Sequence, residues 1–159
     1  MATNYQTTIY QPQLEKAHAY QDFVARRLLD EGIVLVGYQS RQAQFDIGEN
    51  ALGLEIKCDD KLAKLGNVYI EIQEKSDPSN AEYVASGIHR PDNSWLYGIG
   101  DYHEFFIFSK RTLRLAEKHG KFRLVENEWK TSRGFLIPRL QATQIAERLF
   151  AWDQKEVAA

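Results

Sequence analysis

Apolar residues recur every three or four positions over residues 12–31, a spacing typical of a helix that packs one face on a core. Pro12 suits the first turn of this helix, and Gly32 ends it. Residues 110–118 predict a second helix, which the preceding serine can cap. The spacing over residues 142–152 predicts a final amphipathic helix.

Strands are predicted where short runs of β-branched and aromatic residues lie between turn-forming residues. These runs are residues 33–38, 42–47, 52–58, 68–74, 95–99 and 104–108, with a short extended stretch at 135–138. The run 33–38 is apolar throughout, so we expect it to be buried on both faces. Gly and Asn in the segment 48–53 predict a hairpin turn, whereas residues 75–94 predict a long loop, or a short helix with a loop on either side. This order of elements predicts a single α/β domain over residues 1–159, with a mixed central β-sheet flanked by helices.

Charge is distributed unevenly along the chain, although the formal net charge is only −2. Residues 1–109 hold nine Lys and Arg against sixteen Asp and Glu, whereas residues 110–139 hold nine against three. We therefore divide the domain into a core over about residues 12–108 and basic C-terminal elements over residues 109–153. Such a basic segment is typical of a phosphate-facing surface, although a merely solvated face is the alternative. The candidate DNA-binding residues are Lys110, Arg111, Arg114, Lys118, Lys121 and Arg123.

Several classes of protein are disfavoured by what the sequence lacks. Cys58 is the single cysteine, so an intrachain disulfide and a cysteine-based metal site are both excluded, as expected in a reducing compartment. The N-terminus has no signal-peptide pattern, and the apolar runs are too short to span a membrane, so we expect a cytoplasmic protein. A phosphate-binding glycine-rich loop is missing from the sequence, so we expect no nucleotide cofactor.

The predicted hairpin brings charged residues together on one face of the sheet. If its turn centres on residues 50–51, Asp46 faces Glu55 across the ladder at roughly 5 Å, and Lys57 lies on the same face. Two carboxylates that face each other are unfavourable unless a cation lies between them. Oxygen ligands suit Mg²⁺ or Mn²⁺, and the site could hold one or two such ions. The carbonyl of Ile56 could supply a further ligand. A surface salt bridge of Lys57 with either carboxylate is the alternative interpretation.

Other acidic residues could complete or replace this cluster. Glu71 lies on the next predicted strand, where alternation places Gln73 on the same face. In a competing arrangement, Glu55 takes the place of Asp46, and Glu71 with Gln73 takes the place of Glu55 with Lys57. Glu15 in the first helix is a further candidate metal ligand, and Asp22 is its rival. Favourable placement near the helix N-terminus explains Glu15 equally well.

The ordered series of motifs resembles the PD-(D/E)XK nuclease superfamily, in particular its small phage and mobile-element members. That superfamily has a helix, a strand, and a hairpin with Asp on one strand and Glu-x-Lys on the next. The segments that carry the resemblance are residues 44–47, 53–59, 65–71, 86–88, 95–97 and 134–138. Phe45 stands where many members have Pro before the Asp.

The resemblance implies a restriction-endonuclease-like fold and Mg²⁺-dependent hydrolysis of phosphodiester bonds in DNA. It also implies that Asp46 and Glu55 are metal ligands and that Lys57 is the catalytic lysine. Glu71 is a further candidate catalytic residue because of its strand position, as a ligand of a second metal or a partner of the first ligands, and an exposed strand glutamate is the alternative. A homing or restriction endonuclease is favoured by the long loop and the basic segment. A Holliday-junction-type resolvase and a non-catalytic DNA-binding or interaction protein are the alternatives. One active site cuts one strand, so we expect a homo-oligomer, in the cytoplasm of a bacterial or phage-infected cell.

Overall fold

The computed structural model describes residues 6–120 and 122–152. One π-helical turn, Gln6–Tyr10, leads into helix α1, Gln11–Asp30. The elements that follow are α2 (Arg41–Asp46), β1 (Leu54–Cys58), α3 (Leu62–Leu65), β2 (Asn67–Glu74), β3 (Val84–Ala85), a 3₁₀ turn (Gly87–His89), β4 (Leu96–Gly100), β5 (Glu104–Ser109), α4 (Lys110–Lys118), β6 (Leu124–Glu126), β7 (Ser132–Pro138), α5 (Arg139–Ile145) and β8 (Arg148–Ala151). The first helix, α4 and most of the predicted strands are confirmed within a few residues of the expected bounds.

The strands form two four-stranded sheets. The first has the order β1-β4-β5-β8, in which β1 runs parallel to β4 and the other neighbours are antiparallel. The second has the order β3-β2-β7-β6 and is antiparallel throughout. The mixed α/β class is thus confirmed, with its strands divided between two sheets. Among the described residues, no helix combines the length and apolar character needed to cross a membrane.

Two apolar clusters form the core. One lies between the sheets and includes Ile70 of β2, Phe106 of β5 and Phe135 of β7. The other packs α1 on the first sheet, where Tyr20, Val24 and Leu28 meet Leu54, Ile56, Phe105 and Phe150. Each fully buried large apolar side chain contributes about 1.5–3 kcal/mol to folding. Because β7 and β8 contribute buried residues, the core extends beyond residues 12–108.

Residues 42–47 were expected to be a strand, but the structure places most of them in helix α2. The backbone of Ser40 is extended, and its Oγ accepts a hydrogen bond from the backbone N–H of Ala43 at 3.0 Å. This N-cap satisfies a helix donor locally, so the segment does not need a sheet neighbour. Phe45 is exposed, which shows that the apolar alternation did not reflect burial. The predicted hairpin of residues 42–47 and 52–58 is therefore wrong.

Residues 33–38 belong to neither sheet and lie beside the loop that precedes β1. Gly37 and Asn50 form an isolated antiparallel bridge, and the backbone N–H of Ala51 donates to the carbonyl of Val36 at 2.8 Å. The side chain of Val36 is 60% exposed, so the prediction of a strand buried on both faces is wrong.

The predicted C-terminal helix over residues 142–152 is also wrong. Helix α5 ends at Ile145, and the next residue adopts an extended conformation. Strand β8 then pairs with β5, where Phe150 lies opposite Phe105 and is buried. An unpaired strand edge is unfavourable, so the chain covers the outer edge of β5 instead of continuing the helix.

Candidate active site

Two acidic residues and a lysine predicted from the sequence meet where the two sheets approach each other. The Nζ atom of Lys57 on β1 lies 3.2 Å from Oε1 of Glu55 and 3.4 Å from Oε1 of Glu71 on β2. Burial lowers the pKa of Lys57, but the charges of Glu71 and Glu55 outweigh burial and hold this pKa well above its ordinary value. Lys57 is therefore an ammonium ion between two carboxylates.

Glu71 is held in place by two hydroxyl groups as well as by Lys57. Ser86 Oγ donates to its Oε1 at 2.9 Å, and Ser132 Oγ donates to its Oε2 at 2.7 Å. Burial raises the pKa of Glu71, but Lys57 and the two hydroxyl groups outweigh it, so the pKa lies below its ordinary value. Glu71 is thus a fixed carboxylate at neutral pH. Its Oε1 accepts from both Lys57 and Ser86, whereas its Oε2 accepts from Ser132 and keeps a lone pair for a further partner.

Glu49 lies beside the open edge of β1. Its Oε2 accepts a hydrogen bond from the backbone N–H of Ile56 at 3.1 Å. The N–H and C=O of one strand residue point toward the same edge, so the carbonyl of Ile56 faces this open edge as well. Burial raises the pKa of Glu49, although the N–H of Ile56 and the charge of Lys57 oppose the effect. The structure therefore places Glu49, and not Asp46, beside the Glu55–Lys57 strand.

A double hydrogen bond made by Asn50 fixes the loop that carries Glu49. The side chain of Asn50 is buried, its Nδ2 donates to the carbonyl of Leu54 at 2.7 Å, and its Oδ1 accepts from the N–H of Leu54 at 3.1 Å. Glu49 was not among the predicted site residues because the segment 48–53 was expected to be a hairpin turn. The sequence does contain a signal for Glu49. It is an acidic residue six positions before Glu55, and it is followed by Asn50, whose side chain can hydrogen-bond to the loop backbone.

Lys110 binds the second oxygen of Glu55. Its Nζ lies 2.8 Å from Oε2 of Glu55, and it donates to the carbonyl of Gly87 at 3.0 Å and to Ser94 Oγ at 3.1 Å. Because the Lys110 side chain is only 1% exposed, its predicted role as a DNA contact is wrong.

The other basic residues of the C-terminal segment lie at the surface. Arg111, Arg114, Lys118 and Arg123 are exposed, whereas Lys121 lies outside the described residues. Arg114 is the most constrained of them, because its Nε donates to the carbonyl of Ile88 at 2.7 Å. These four side chains stay candidates for phosphate contacts.

Asp46 and Glu15 are not brought into the cluster. Asp46 ends α2 at the surface, where its Oδ2 accepts from Gln42 Nε2 at 2.7 Å, so the predicted facing pair of Asp46 and Glu55 is wrong. Glu15 is exposed on α1, and in the described part of the chain no hydrogen bond or ion pair connects it to Glu55. Gln73 lies beyond a β-bulge on β2, with no such contact to the cluster within residues 6–120 and 122–152.

The donor chemistry of the cluster fits a hard divalent cation. Both carboxylate oxygens of Glu55 are buried, and within residues 6–120 and 122–152 neither has a hydrogen-bond partner. The two lysines compensate its charge by ion pairing, Lys110 at Oε2 and the more exposed Lys57 at Oε1, so Oε1 is the oxygen that a cation could reach. Carboxylate oxygens of Glu49, Glu55 and Glu71 with the carbonyl of Ile56 are the ligands that Mg²⁺ and Mn²⁺ prefer. As the side chains stand, no group of three such residues in the described ranges is already arranged around a metal position.

Comparisons with known proteins do not identify a family. The chain matches no protein-family model, no curated protein and no solved structure. The evidence for function therefore lies in the cluster itself, in which the ammonium of Lys57 lies beside carboxylate oxygens near the open edge of β1.

Proposed function

We propose that this protein is a divalent-metal-dependent DNA endonuclease that hydrolyses phosphodiester bonds. The observation that supports this most directly is the position of Lys57. Its ammonium lies within 3.4 Å of both Glu55 and Glu71, and its side chain is 32% exposed. The lysine can therefore reach a bound phosphate while the two carboxylates keep it protonated. A surface salt bridge would not need Glu55 to be 1% exposed and paired with a second lysine.

The proposed chemistry assigns a role to each group in the cluster. Glu49, Glu55 and the carbonyl of Ile56 would hold Mg²⁺ or Mn²⁺, which, when bound, polarises the phosphate and activates water. Lys57 donates a hydrogen bond to a phosphate oxygen and offsets the negative charge that develops during hydrolysis. Glu71 orients Lys57 and maintains its charge, because the pKa of Glu71 is held low.

DNA binding in this proposal depends on the exposed basic residues of α4 and the following loop. Arg111, Arg114, Lys118 and Arg123 would contact phosphates, and such contacts position DNA without reading its sequence. A single site cuts a single strand, so cleavage of a duplex or a branched substrate would need two copies of the chain. A homing or restriction type of endonuclease is preferred to a junction resolvase because of the long connection over residues 75–94, which the structure builds from loops, the short strand β3 and a 3₁₀ turn.

The proposal is tested by incubating supercoiled plasmid and four-way-junction DNA with Mg²⁺, with Mn²⁺, or with EDTA. We expect wild-type protein to cut at least one substrate only with metal, and Lys57→Met and Glu55→Gln to reduce the rate by about a hundredfold or more. Asp46→Asn is the matched control, because it removes an exposed carboxylate and should leave cleavage intact. Cleavage that survives both site substitutions would contradict the mechanism, and the substrate that is cut separates the two enzyme classes.

A second candidate function is a DNA-binding or interaction protein without catalysis. It is favoured by one observation, the ion pair of 2.8 Å between Lys110 and Glu55, which compensates the buried carboxylate without a metal. Metal-independent DNA binding by wild-type protein, with no cleavage of either substrate, would support this candidate.

A further inference from the structure

Four oxygen atoms surround the ammonium group of Lys110. Its Nζ donates to the carbonyl of Gly87 at 3.0 Å and to Ser94 Oγ at 3.1 Å, and it forms ion pairs with Oε2 of Glu55 at 2.8 Å and with Oδ1 of Asp92 at 3.9 Å. The three protons of the ammonium therefore all have fixed oxygen neighbours. With an exposed fraction of 1%, the group has no access to solvent that could replace these partners.

The backbone around Lys110 is equally constrained. Its N–H donates to the carbonyl of Trp95 at 2.9 Å, so the first residue of α4 is tied to the start of β4. Ser94 is fixed in turn, because its N–H donates to Oδ1 of Asp92 at 2.9 Å. The lysine therefore approaches Glu55 from a rigid frame made by β1, the loop before β4 and α4.

The two oxygens of Glu55 consequently differ in their surroundings. Oε2 faces the buried ammonium of Lys110, whereas Oε1 faces Lys57, whose side chain is 32% exposed. Lys57 can move toward solvent or a substrate, but Lys110 cannot. A divalent cation can therefore replace Lys57 at Oε1, while charge repulsion from the fixed ammonium keeps it away from Oε2.

We propose that Lys110 is a positioning residue that restricts Glu55 to one ligand oxygen and thereby selects Mg²⁺ or Mn²⁺ against Ca²⁺. Mg²⁺ demands near-octahedral geometry at short distances, which two oxygens of one carboxylate fit poorly, whereas Ca²⁺ takes six to eight ligands and can use both oxygens of one carboxylate. The inference rests on the proposed function, since it concerns the metal that the same site would hold.

The test measures binding of Mn²⁺ alone and Ca²⁺ alone to metal-free protein by isothermal titration calorimetry, without DNA. Wild-type protein should bind Mn²⁺ more tightly than Ca²⁺. In Lys110→Met both oxygens of Glu55 become available, so we expect the affinity for Ca²⁺ relative to Mn²⁺ to rise by about fivefold or more. Arg26→Met is the matched control, because it removes the same charge at an exposed position on α1 that has no role in the proposed site, and it should leave the ratio unchanged.

Other results would overturn the inference in distinguishable ways. A Lys110→Met protein with the wild-type ratio would overturn it alone, whereas a wild-type protein that binds neither metal would overturn it together with the proposed function. If Lys110→Met fails to fold by circular dichroism, Ser94→Ala replaces it, since this removes one of the two hydrogen-bond acceptors of the Lys110 ammonium and keeps the charge. Ser94→Ala should raise the relative affinity for Ca²⁺ by about twofold, and an unchanged ratio would contradict the inference.

Discussion

The Nζ atom of Lys110 lies 2.8 Å from Oε2 of Glu55, although the two residues are on different elements and both side chains are only 1% exposed. This ion pair joins helix α4 to strand β1. It also explains how a carboxylate can lie inside the protein next to a second lysine, Lys57, without the cost of an uncompensated charge.

Replacing Lys110 should destabilise the fold strongly. Lys110→Ala leaves Glu55 buried without its closest cation, and breaking a buried ion pair in this way costs about 3–5 kcal/mol. The free energy of unfolding, measured with urea on metal-free protein, should fall by that amount. Arg111→Ala, at the exposed neighbouring position, should change it by no more than about 0.5 kcal/mol. If Lys110→Ala and Arg111→Ala reduced the free energy of unfolding equally, the buried ion pair of Lys110 and Glu55 would not be a main source of stability.

Gly87 should tolerate alanine much less well than Gly120, although both adopt positive φ angles, +52° and +61°. A Cβ at Gly87 would lie 2.2 Å from the carbonyl oxygen of Glu71, whereas a Cβ at Gly120 meets nothing within 4 Å. We expect Gly120→Ala to cost about 1 kcal/mol through backbone strain alone, and Gly87→Ala about 3 kcal/mol or more. Thermal unfolding of the two variants measures the difference, and similar losses would show that the turn can move away from β2.

Glu49 and Glu71 should affect stability in opposite directions as the pH changes. The pKa of Glu71 lies below its ordinary value of 4.5 because Lys57 and two hydroxyl groups outweigh burial. Its charged form therefore contributes stability above pH 4.5, and this contribution is lost as the pH falls through the folded-state pKa. Burial raises the pKa of Glu49 above 4.5, so its ionisation reduces stability as the pH rises above that value.

Urea unfolding in metal-free buffer, at pH values below and above 4.5, tests the predictions for Glu49 and Glu71. At neutral pH, Glu71→Gln should be less stable than wild-type protein and Glu49→Gln more stable. Both differences should shrink below pH 4.5, where the carboxyl groups become protonated. If both substitutions changed the free energy of unfolding in the same direction at neutral pH, the surroundings assigned to one of the two carboxylates would be wrong.

The exposed basic residues of α4 should determine the salt dependence of DNA binding. Replacing both Arg114 and Lys118 with Gln removes two candidate phosphate contacts, so the slope of log K against log salt should decrease by about 2. Fluorescence anisotropy with labelled duplex DNA at several salt concentrations measures the slope. Replacing both Lys16 and Arg26 with Gln, at exposed positions on α1, is the charge-matched control and should leave it unchanged. An unchanged slope in the double variant would place the DNA on another surface.

Local patterns in the sequence were sufficient for many elements of the fold. The three- to four-residue spacing predicted α1, and the β-branched and aromatic runs predicted β1, β2, β4 and β5, because these elements bury the face that the pattern marks. The same reasoning failed for residues 42–47, whose apolar alternation is solvent-exposed and whose backbone is captured by the Ser40 cap. It also failed for residues 148–151, where pairing with β5 decided the conformation.

The sequence by itself determined that Glu55 and Lys57 lie on one face of a strand, because alternation along β1 depends only on their spacing. Only the tertiary structure decided which groups surround them. The backbone of β1 pairs with β4 and not with the segment before it, so Asp46 is left at the surface and Glu49 faces the open edge. Lys110 likewise belongs to a basic segment in the sequence, yet the start of α4 lies against β1 and buries it. Contacts between segments this distant depend on how the chain packs, which local spacing does not encode.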